Sequence, residues 1–221
     1  KAHYDKAYTR AYNIEVLQNK HGVFIMEHLA VVADTVQKII DIELTWKIDE
    51  TGKIIASIEA QKDEEFPDLP RFGIRLFLDK KFEDVAYYGM GPHESYRDKH
   101  QATSHGIYRS KVTDLHEDYI RPQENGSHYD CDYVELTNAQ YGFAIVSEDS
   151  FSFNASYYTQ EVLEQTEHNF ELEESDSTVL CVDYALNGIG SNSCGPVVLD
   201  QYRFRENEFR FQLKLVPYVK R

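Results

Sequence analysis

The chain has 221 residues, of which 42% are hydrophobic and 28% are charged, a composition typical of folded globular proteins. Its formal net charge of -15 argues against nucleic acid or an anionic membrane surface as a partner, because both attract basic proteins. No apolar run approaches the about 20 residues that a membrane-spanning helix needs.

Alternating apolar and polar residues predict antiparallel strands in the first third of the chain. Residues 1–12 have weak helical character, and Asn19 to Gly22 then form a turn between two short apolar runs. A second turn at residues 50–52 separates two alternating runs that we expect to pair. The strands predicted in this part cover residues 14–16, 23–26, 41–49, 54–60 and 72–78.

The remaining chain continues in strands with one short helix. The helix is expected to begin after Thr159, whose hydroxyl can accept a hydrogen bond from a free amide of the first turn. Residues 103–117 carry little periodicity, which predicts irregular structure. The predicted strands cover residues 82–87, 133–136, 141–147, 151–155 and 179–184, followed by a hairpin of 202–204 and 209–215. This pattern predicts an all-β, antiparallel fold in a single domain over residues 1–221.

Three glycine-bearing stretches interrupt the strands and have the composition of functional loops. The stretch from Tyr87 to Asp98 combines two glycines, a proline and several charged or aromatic side chains. The other two cover residues 121–126 and 187–196. Their motifs are Tyr88-Gly89-x-Gly91-Pro92-x-Glu94-x-Tyr96-x-Asp98, Pro122-x-Glu124-Asn125-Gly126, and Asp183-x-x-x-x-Gly188-Ile189-Gly190 followed by Ser193-Cys194-Gly195-Pro196.

In this order and spacing, the three motifs resemble the C-terminal region (the small chain, or domain 5) of bacterial β-galactosidases of glycoside hydrolase family 2. The resemblance covers nearly the whole chain. It implies a large β-sandwich called a supersandwich, with the fold of galactose mutarotase. It also implies a non-catalytic domain that shapes the active-site entrance of a separate (β/α)8 barrel, where the catalytic glutamates lie.

The resemblance implies further properties of the parent protein. The parent is expected to hydrolyse terminal β-D-galactosides such as lactose with retention, and the isolated chain is expected to be inactive. Magnesium and possibly sodium would be bound by the barrel and no cofactor by this chain. The partners would be the barrel domain and, in the intact enzyme, the galactoside substrate, within an oligomeric, cytoplasmic parent. The start at Lys1 without an initiator Met suggests a fragment of a longer protein.

Six residues are predicted to face substrate in the intact enzyme, three from the first two motifs and three from the third motif. In the third motif, the best-known branch of the family has a Ser-Trp dipeptide whose indole stacks on sugar. Here Ser193 is followed by Cys194, a small side chain that offers no stacking surface. The six are Asn192, Ser193, Cys194, Glu94, Tyr96 and Asn125.

Other interpretations of the same residues stay open from the sequence. Glu94 and Glu124 could form the carboxylate pair of a glycosidase, or could accept hydrogen bonds from loop amides and hold the loops in shape. His93 and Glu124 could serve as acid and base of an aldose 1-epimerase. A stand-alone carbohydrate-binding module is a third possibility.

Cysteines and histidines give little indication of metal chemistry. Cys131, Cys181 and Cys194 are widely spaced, which favours free thiols over a zinc site or a disulfide framework. The histidine spacings match no compact ligand motif, so solvated or capping roles are expected and no metal site is predicted.

Overall fold

The computed structural model describes residues 3–190 and 197–220. In these residues the chain forms eleven strands, a single α-helix and four short 3-10 turns. The strands are β1 (Tyr8–Asn19), β2 (Gly22–Val32), β3 (Lys38–Ile48), β4 (Ile54–Lys62), β5 (Arg71–Asp79), β6 (Asp84–Gly91), β7 (Ser104–Lys111), β8 (His128–Thr137), β9 (Tyr141–Ser156), β10 (Ser177–Leu186) and β11 (Glu208–Val219). The helix is α1 (Gln160–Gln165), and the 3-10 turns are Tyr4–Lys6, Val112–Leu115, Asn169–Glu171 and Asp200–Tyr202. The predicted all-β, antiparallel class with one short helix is confirmed.

The contacts divide the chain into two compact units. Unit 1 contains Lys1–Leu69, Ile145–Asp149 and Arg205–Pro217, and unit 2 contains Pro70–Ala144, Ser150–Phe204 and Tyr218–Arg221. The assignment of residues 1–221 to a single domain stays a prediction. No helix in the described part of the chain has the length and apolar character needed to cross a membrane.

Unit 1 is built on an antiparallel sheet with the strand order β1, β2, β3, β4, β11. The predicted turn after Asn19 joins β1 to β2, and the turn after Ile48 joins β3 to β4, with Trp46 opposite Ala56. Both predicted hairpins are therefore confirmed, with longer strands than predicted. The weak helical character near the N-terminus is limited to the 3-10 turn at Tyr4–Lys6, after which β1 begins.

Unit 2 is likewise built from antiparallel paired strands. β6 lies between β7 and β8, and β10 lies between β5 and β9. The inward-facing residues of these strands are almost fully buried and form an aromatic and aliphatic core. The largest of these side chains are Tyr87, Phe151, Phe153, Leu136 and Leu180.

The structure corrects the predicted end of the strand before the first motif. β6 continues to Gly91, so Gly89 and Gly91 lie in the strand and not in the loop. Neither glycine has a positive φ. A Cβ on Gly89 would lie 2.1 Å from Cys131 Sγ, and one on Gly91 would lie 2.2 Å from the Tyr87 hydroxyl. These glycines therefore permit close packing of neighbouring side chains.

Three other predictions in the second half were wrong. Residues 103–117 contain β7 and a 3-10 turn, because backbone pairing with β6 holds a strand whose side chains are nearly all polar or exposed. The two short strands predicted between residues 141 and 155 are one long strand, β9. The final hairpin does not form, since residues 200–202 make a 3-10 turn and β11 pairs with β4.

The predicted helix cap is confirmed. Thr159 Oγ1 accepts a hydrogen bond from Val162 N at 3.2 Å, which satisfies one of the free amides of the first turn of α1. Leu163 is the buried residue of this helix.

Candidate functional site

The first motif leaves β6 and forms a loop from Pro92 to Lys99 that is tied to the start of β8. Ser95 N donates to Ser127 O at 2.7 Å, and Ser95 Oγ donates to Met90 O at 3.1 Å. The same hydroxyl accepts a hydrogen bond from Tyr129 N at 2.9 Å. Ser95 is completely buried, so these bonds satisfy its polar groups away from water.

Glu94 joins the first motif to the second. Its Oε2 accepts hydrogen bonds from Gly126 N at 3.0 Å and from the Tyr96 hydroxyl at 3.4 Å. Its Oε1 accepts from Lys99 Nζ at 2.6 Å and from the Tyr119 hydroxyl. Burial opposes ionisation of Glu94, but the hydrogen bonds outweigh it and hold the pKa of this carboxyl below its ordinary value. The side chain is an ionised acceptor that fixes the loop.

Glu124, in the second motif, has a different partner from the one expected. Its Oε2 accepts a hydrogen bond from Arg71 Nη1 at 3.0 Å, and its Oε1 is buried without a hydrogen-bond partner. The expectation that Glu124 accepts from a loop amide was wrong, whereas the same expectation for Glu94 is confirmed. Burial raises the pKa of Glu124, and Arg71 opposes that rise only in part.

Arg71 links the second motif to the beginning of the third. Besides Glu124, it donates from Nε to Asp183 Oδ1 at 3.2 Å and from Nη2 to Asp183 Oδ2. Burial opposes the charge of Arg71, but Asp183, which is almost completely buried on β10, and Glu124 together raise the pKa of the guanidinium. A planar guanidinium matches two carboxylates in this way because its donors form a rigid fork.

Asp98, the last residue of the first motif, holds the glycine turn of the third. Its Oδ1 accepts from Ile189 N at 3.1 Å and its Oδ2 accepts from Gly190 N at 2.8 Å. Gly188 lies so close that a Cβ there would be 2.8 Å from Asp98 Cγ. The three motifs are thus joined into one polar network within unit 2, which the sequence order alone did not show.

Besides Glu94, two of the predicted substrate-facing residues lie inside this network. Tyr96 is 2% exposed and Asn125 is 4% exposed. Asn125 Oδ1 accepts from Glu117 N at 3.1 Å, and its Nδ2 donates to Gln123 O at 2.9 Å. These contacts give both side chains a structural role in shaping the loops, and contact with substrate stays a prediction. Asn192, Ser193 and Cys194 lie outside the described residues.

His93 and Glu124, the alternative acid and base of an epimerase, do not contact each other through a hydrogen bond. His93 is exposed, the Glu124 carboxylate binds Arg71, and no hydrogen bond links His93 to Glu124. His93 instead borders a concavity of about 430 Å³ whose lining includes Glu94, Lys99 and Tyr119. Within residues 3–190 and 197–220, no group of three His, Cys, Asp or Glu side chains is arranged to hold a metal ion.

Cys131 and Cys181 are free thiols, as their spacing predicted, and both are buried. Cys131 and Cys181 form no disulfide. Burial raises the pKa of both thiols, that of Cys181 to about 12, so neither has the thiolate character of a nucleophile at neutral pH.

Sequence reasoning missed three members of the network. Arg71 lies at the start of β5, and Lys99 and Tyr119 flank segments without a recognisable pattern. Their partners are 20 to 112 residues away along the chain, except for the pair of Lys99 and Glu94. Arg71 follows Pro70 and has no local signal of the ion pair, because its carboxylate partners are 53 and 112 residues away in the sequence.

The fold and this network define an antiparallel all-β protein whose three motif loops are held together by hydrogen bonds to carboxylates. A sequence profile described as beta galactosidase small chain matches residues 1–215. The chain belongs to this family.

Individual relatives agree with this assignment. The chain is 45% identical over 215 residues to a beta-galactosidase from Actinobacillus pleuropneumoniae, and 40% identical over 210 residues to one from Staphylococcus xylosus. These matches cover 97% and 94% of this chain but 21% of each relative, so the chain spans about a fifth of their length. Among solved structures, galactose 1-epimerase from Lactobacillus acidophilus aligns with a TM-score of 0.48 at 8% identity, covering 95% of this chain and 67% of that one.

Proposed function

We propose that this chain is a non-catalytic part of a β-galactosidase that hydrolyses terminal β-D-galactosides of the lactose type. In that enzyme it forms one wall of the active-site entrance. The observation that carries the proposal is that the three motifs of the small-chain family form one connected network through Glu94, Arg71 and Asp98. Such a network provides a rigid surface of loops for a neighbouring domain.

The catalytic carboxylates are proposed to lie on a separate (β/α)8 barrel, which performs the hydrolysis with retention. The carboxylates of this chain are poorly suited to the reaction. Glu94 already accepts four hydrogen bonds and has a lowered pKa, whereas a general acid needs a raised one. Glu124 has a raised pKa but binds Arg71. The isolated chain is therefore proposed to be inactive.

Asn192, Ser193 and Cys194 are proposed to face the substrate in the intact enzyme. They follow Gly190, which Asp98 holds through its backbone amide. Glu94, Tyr96 and Asn125 are proposed to shape the active-site entrance through the hydrogen bonds that they make within and between the first two motif loops.

The remaining properties of the parent are proposals as well. Magnesium and possibly sodium would be bound by the barrel, and no cofactor by this chain. The parent would be a cytoplasmic oligomer in which the barrel domain is the partner of this chain and a galactoside is the substrate.

Hydrolysis of a chromogenic β-D-galactoside by the intact parent protein tests the proposal directly. We expect turnover by the intact protein and none by residues 1–221 alone. Proton NMR of the first-formed galactose should show the β anomer, as retention requires. Turnover by the isolated chain would place the catalytic groups in this chain and contradict the proposal, as would an intact protein without galactosidase activity.

A further inference from the structure

One face of the unit 1 sheet is apolar across all five strands, but its outer part is uncovered. The cross-strand row in the middle of this face consists of Val16, Ile25, Trp46, Ala56 and Leu213. Exposure falls along this row from 62% at Val16 to 1% at Leu213. The buried core of unit 1 therefore continues into an apolar surface that the described residues leave open to solvent.

A neighbouring row on the same face has the same gradient. It runs from Ile14, which is 54% exposed, through Glu27, Leu44 and Ile58 to Phe211, which is 1% exposed. We call Ile14, Val16, Ile25, Glu27 and Trp46 the outer apolar face.

The opposite side of the sheet is mixed in composition. One row there consists of Glu15, Met26, Thr45, Ser57 and Gln212, and the next consists of Leu17, Phe24, Lys47, Ile55 and Lys214. Both rows end in a polar residue on β11, whereas the two rows described above end in the buried Leu213 and Phe211. The side of the sheet that carries the outer apolar face is therefore the side that continues into the buried core, and its apolar character does not result only from its position at the sheet edge.

The outer apolar face has the properties of a surface that is buried in the complete protein. β1 is exposed along its whole length and, among the described residues, pairs with β2 alone, so its other edge is a free strand edge. Contiguous apolar surface of this kind marks an interaction site in a soluble protein. The relatives are about five times as long as this chain, so they contain ample additional protein.

We propose that the outer apolar face docks the remainder of the parent β-galactosidase. The inference rests on the proposed function for the identity of the occupant. The occupant is expected to be apolar where it meets Val16 and Ile25, because burial of such side chains is the favourable term in association. It is also expected to provide one hydrogen-bond donor to Glu27, which accepts a hydrogen bond from Trp46 Nε1 at 3.2 Å. A carboxylate covered without a further donor would be costly.

Cysteine labelling in the intact parent protein tests the proposal, with Val16→Cys as the probe and Leu17→Cys as the matched control. Val16 and Leu17 are adjacent on β1 and similarly exposed in this chain, at 62% and 56%, but they lie on opposite sides of the sheet. Each variant is treated with a neutral maleimide, and labelling of the relevant peptide is followed by mass spectrometry. The same variants unfolded in urea provide the intrinsic reactivities.

We expect the cysteine at position 16 to react at least about tenfold more slowly than the one at position 17, because only the former would be covered on binding. Equal relative rates would overturn the proposal. Protection of position 16 that disappears on dilution would also overturn it, since a second copy of the protein would then be the occupant.

An aspartate pair provides a second measurement. Val16→Asp should lower the melting temperature of the intact parent more than Leu17→Asp does, and an equal effect would count against docking. Both measurements are independent of turnover. A parent that protects position 16 but hydrolyses no galactoside would refute the proposed function and leave the docking surface supported.

Discussion

The Glu94 carboxylate accepts a hydrogen bond from the backbone amide of Gly126 at 3.0 Å, joining two loops that are 32 residues apart in the sequence. Gly126 has a φ of +69°, and a Cβ there would lie 2.3 Å from Leu115 O. Position 94 therefore requires a carboxylate that can accept several hydrogen bonds, and position 126 requires a glycine. The contact explains why this chain has a glutamate at position 94 and a glycine at position 126.

Replacing Glu94 with Gln should destabilise unit 2 by about 1 to 3 kcal/mol at pH 7. The charged acceptor is lost, and the NH2 group of the glutamine side chain would face donors where the second carboxylate oxygen now accepts hydrogen bonds. The lowered pKa of Glu94 contributes stability above the ordinary value of 4.5 that is lost as the pH falls through the folded-state value. The wild-type chain should therefore lose more stability on acidification below pH 4.5 than the variant does. Urea unfolding at pH 7 and pH 3.5 measures both effects.

Glu83→Gln is the control for that experiment. Glu83 also pairs with a lysine, Lys111, at 2.8 Å, but both side chains are about half exposed. Its substitution should change the free energy of unfolding by less than about 1 kcal/mol. Equal changes in the free energy of unfolding for the two substitutions would show that the Glu94 network stabilises the protein no more than an exposed ion pair does.

Replacing Arg71 with Met should cost about 3 to 5 kcal/mol, because the buried Asp183 and the partly buried Glu124 would lose their common cation. Arg75 on the same strand is the matched control, since it pairs with the exposed Glu161. Arg75→Met should cost less than about 1 kcal/mol. Chemical denaturation of both variants provides the comparison, and similar losses would mean that Arg71 contributes no more than a surface ion pair.

Gly89→Ala should destabilise the protein by about 1 to 3 kcal/mol through overpacking against Cys131. Gly106 lies directly opposite Gly89 on β7, and a Cβ there would meet Tyr108 at an ordinary distance of 3.4 Å. Gly106→Ala should be close to neutral. Adding Cys131→Ala to Gly89→Ala should recover part of the loss, and a double-mutant cycle without coupling would argue against the steric explanation.

His128 should make the protein sensitive to mild acid. Burial lowers its pKa from 6.5 to about 4, although the hydrogen bond to Met90 O and the nearby Glu94 carboxylate oppose this shift. A depressed folded-state pKa contributes stability that is present above pH 6.5 and is lost as the pH falls toward 4, by up to about 3 kcal/mol. The stability difference between the wild type and His128→Phe should shift in this direction between pH 7 and pH 4. A constant difference across that range would exclude His128 as the cause.

The sequence predicted the parts of the fold in which one side of a strand faces water. Residues 42–48 and 54–60 alternate clearly for this reason, and their pairing was predicted correctly. β7 was missed because it is an edge strand whose Ile107 is 73% exposed, so its pattern has no apolar side. Gly89 and Gly91 were placed in a loop because close packing against Cys131 and Tyr87 leaves no trace in the local sequence.

The sequence identified the motif residues of the candidate site, but it did not predict the hydrogen bonds and ion pairs that connect the motifs. Glu94, Asp98 and Glu124 could be identified because each lies in a glycine-bearing motif. Arg71 could not, since its carboxylate partners are 53 and 112 residues away and only the folded chain brings them together. The different environments of Glu94 and Glu124 likewise depend on burial, which the local sequence does not determine.

The position of Trp46 has a spectroscopic consequence. It is the only tryptophan among the 221 residues, and it lies on the unit 1 sheet. Its fluorescence emission therefore follows unit 1 alone, whereas near-ultraviolet absorbance from the tyrosines reports on both units. Comparing the two signals during denaturation would reveal whether the units unfold together or in sequence.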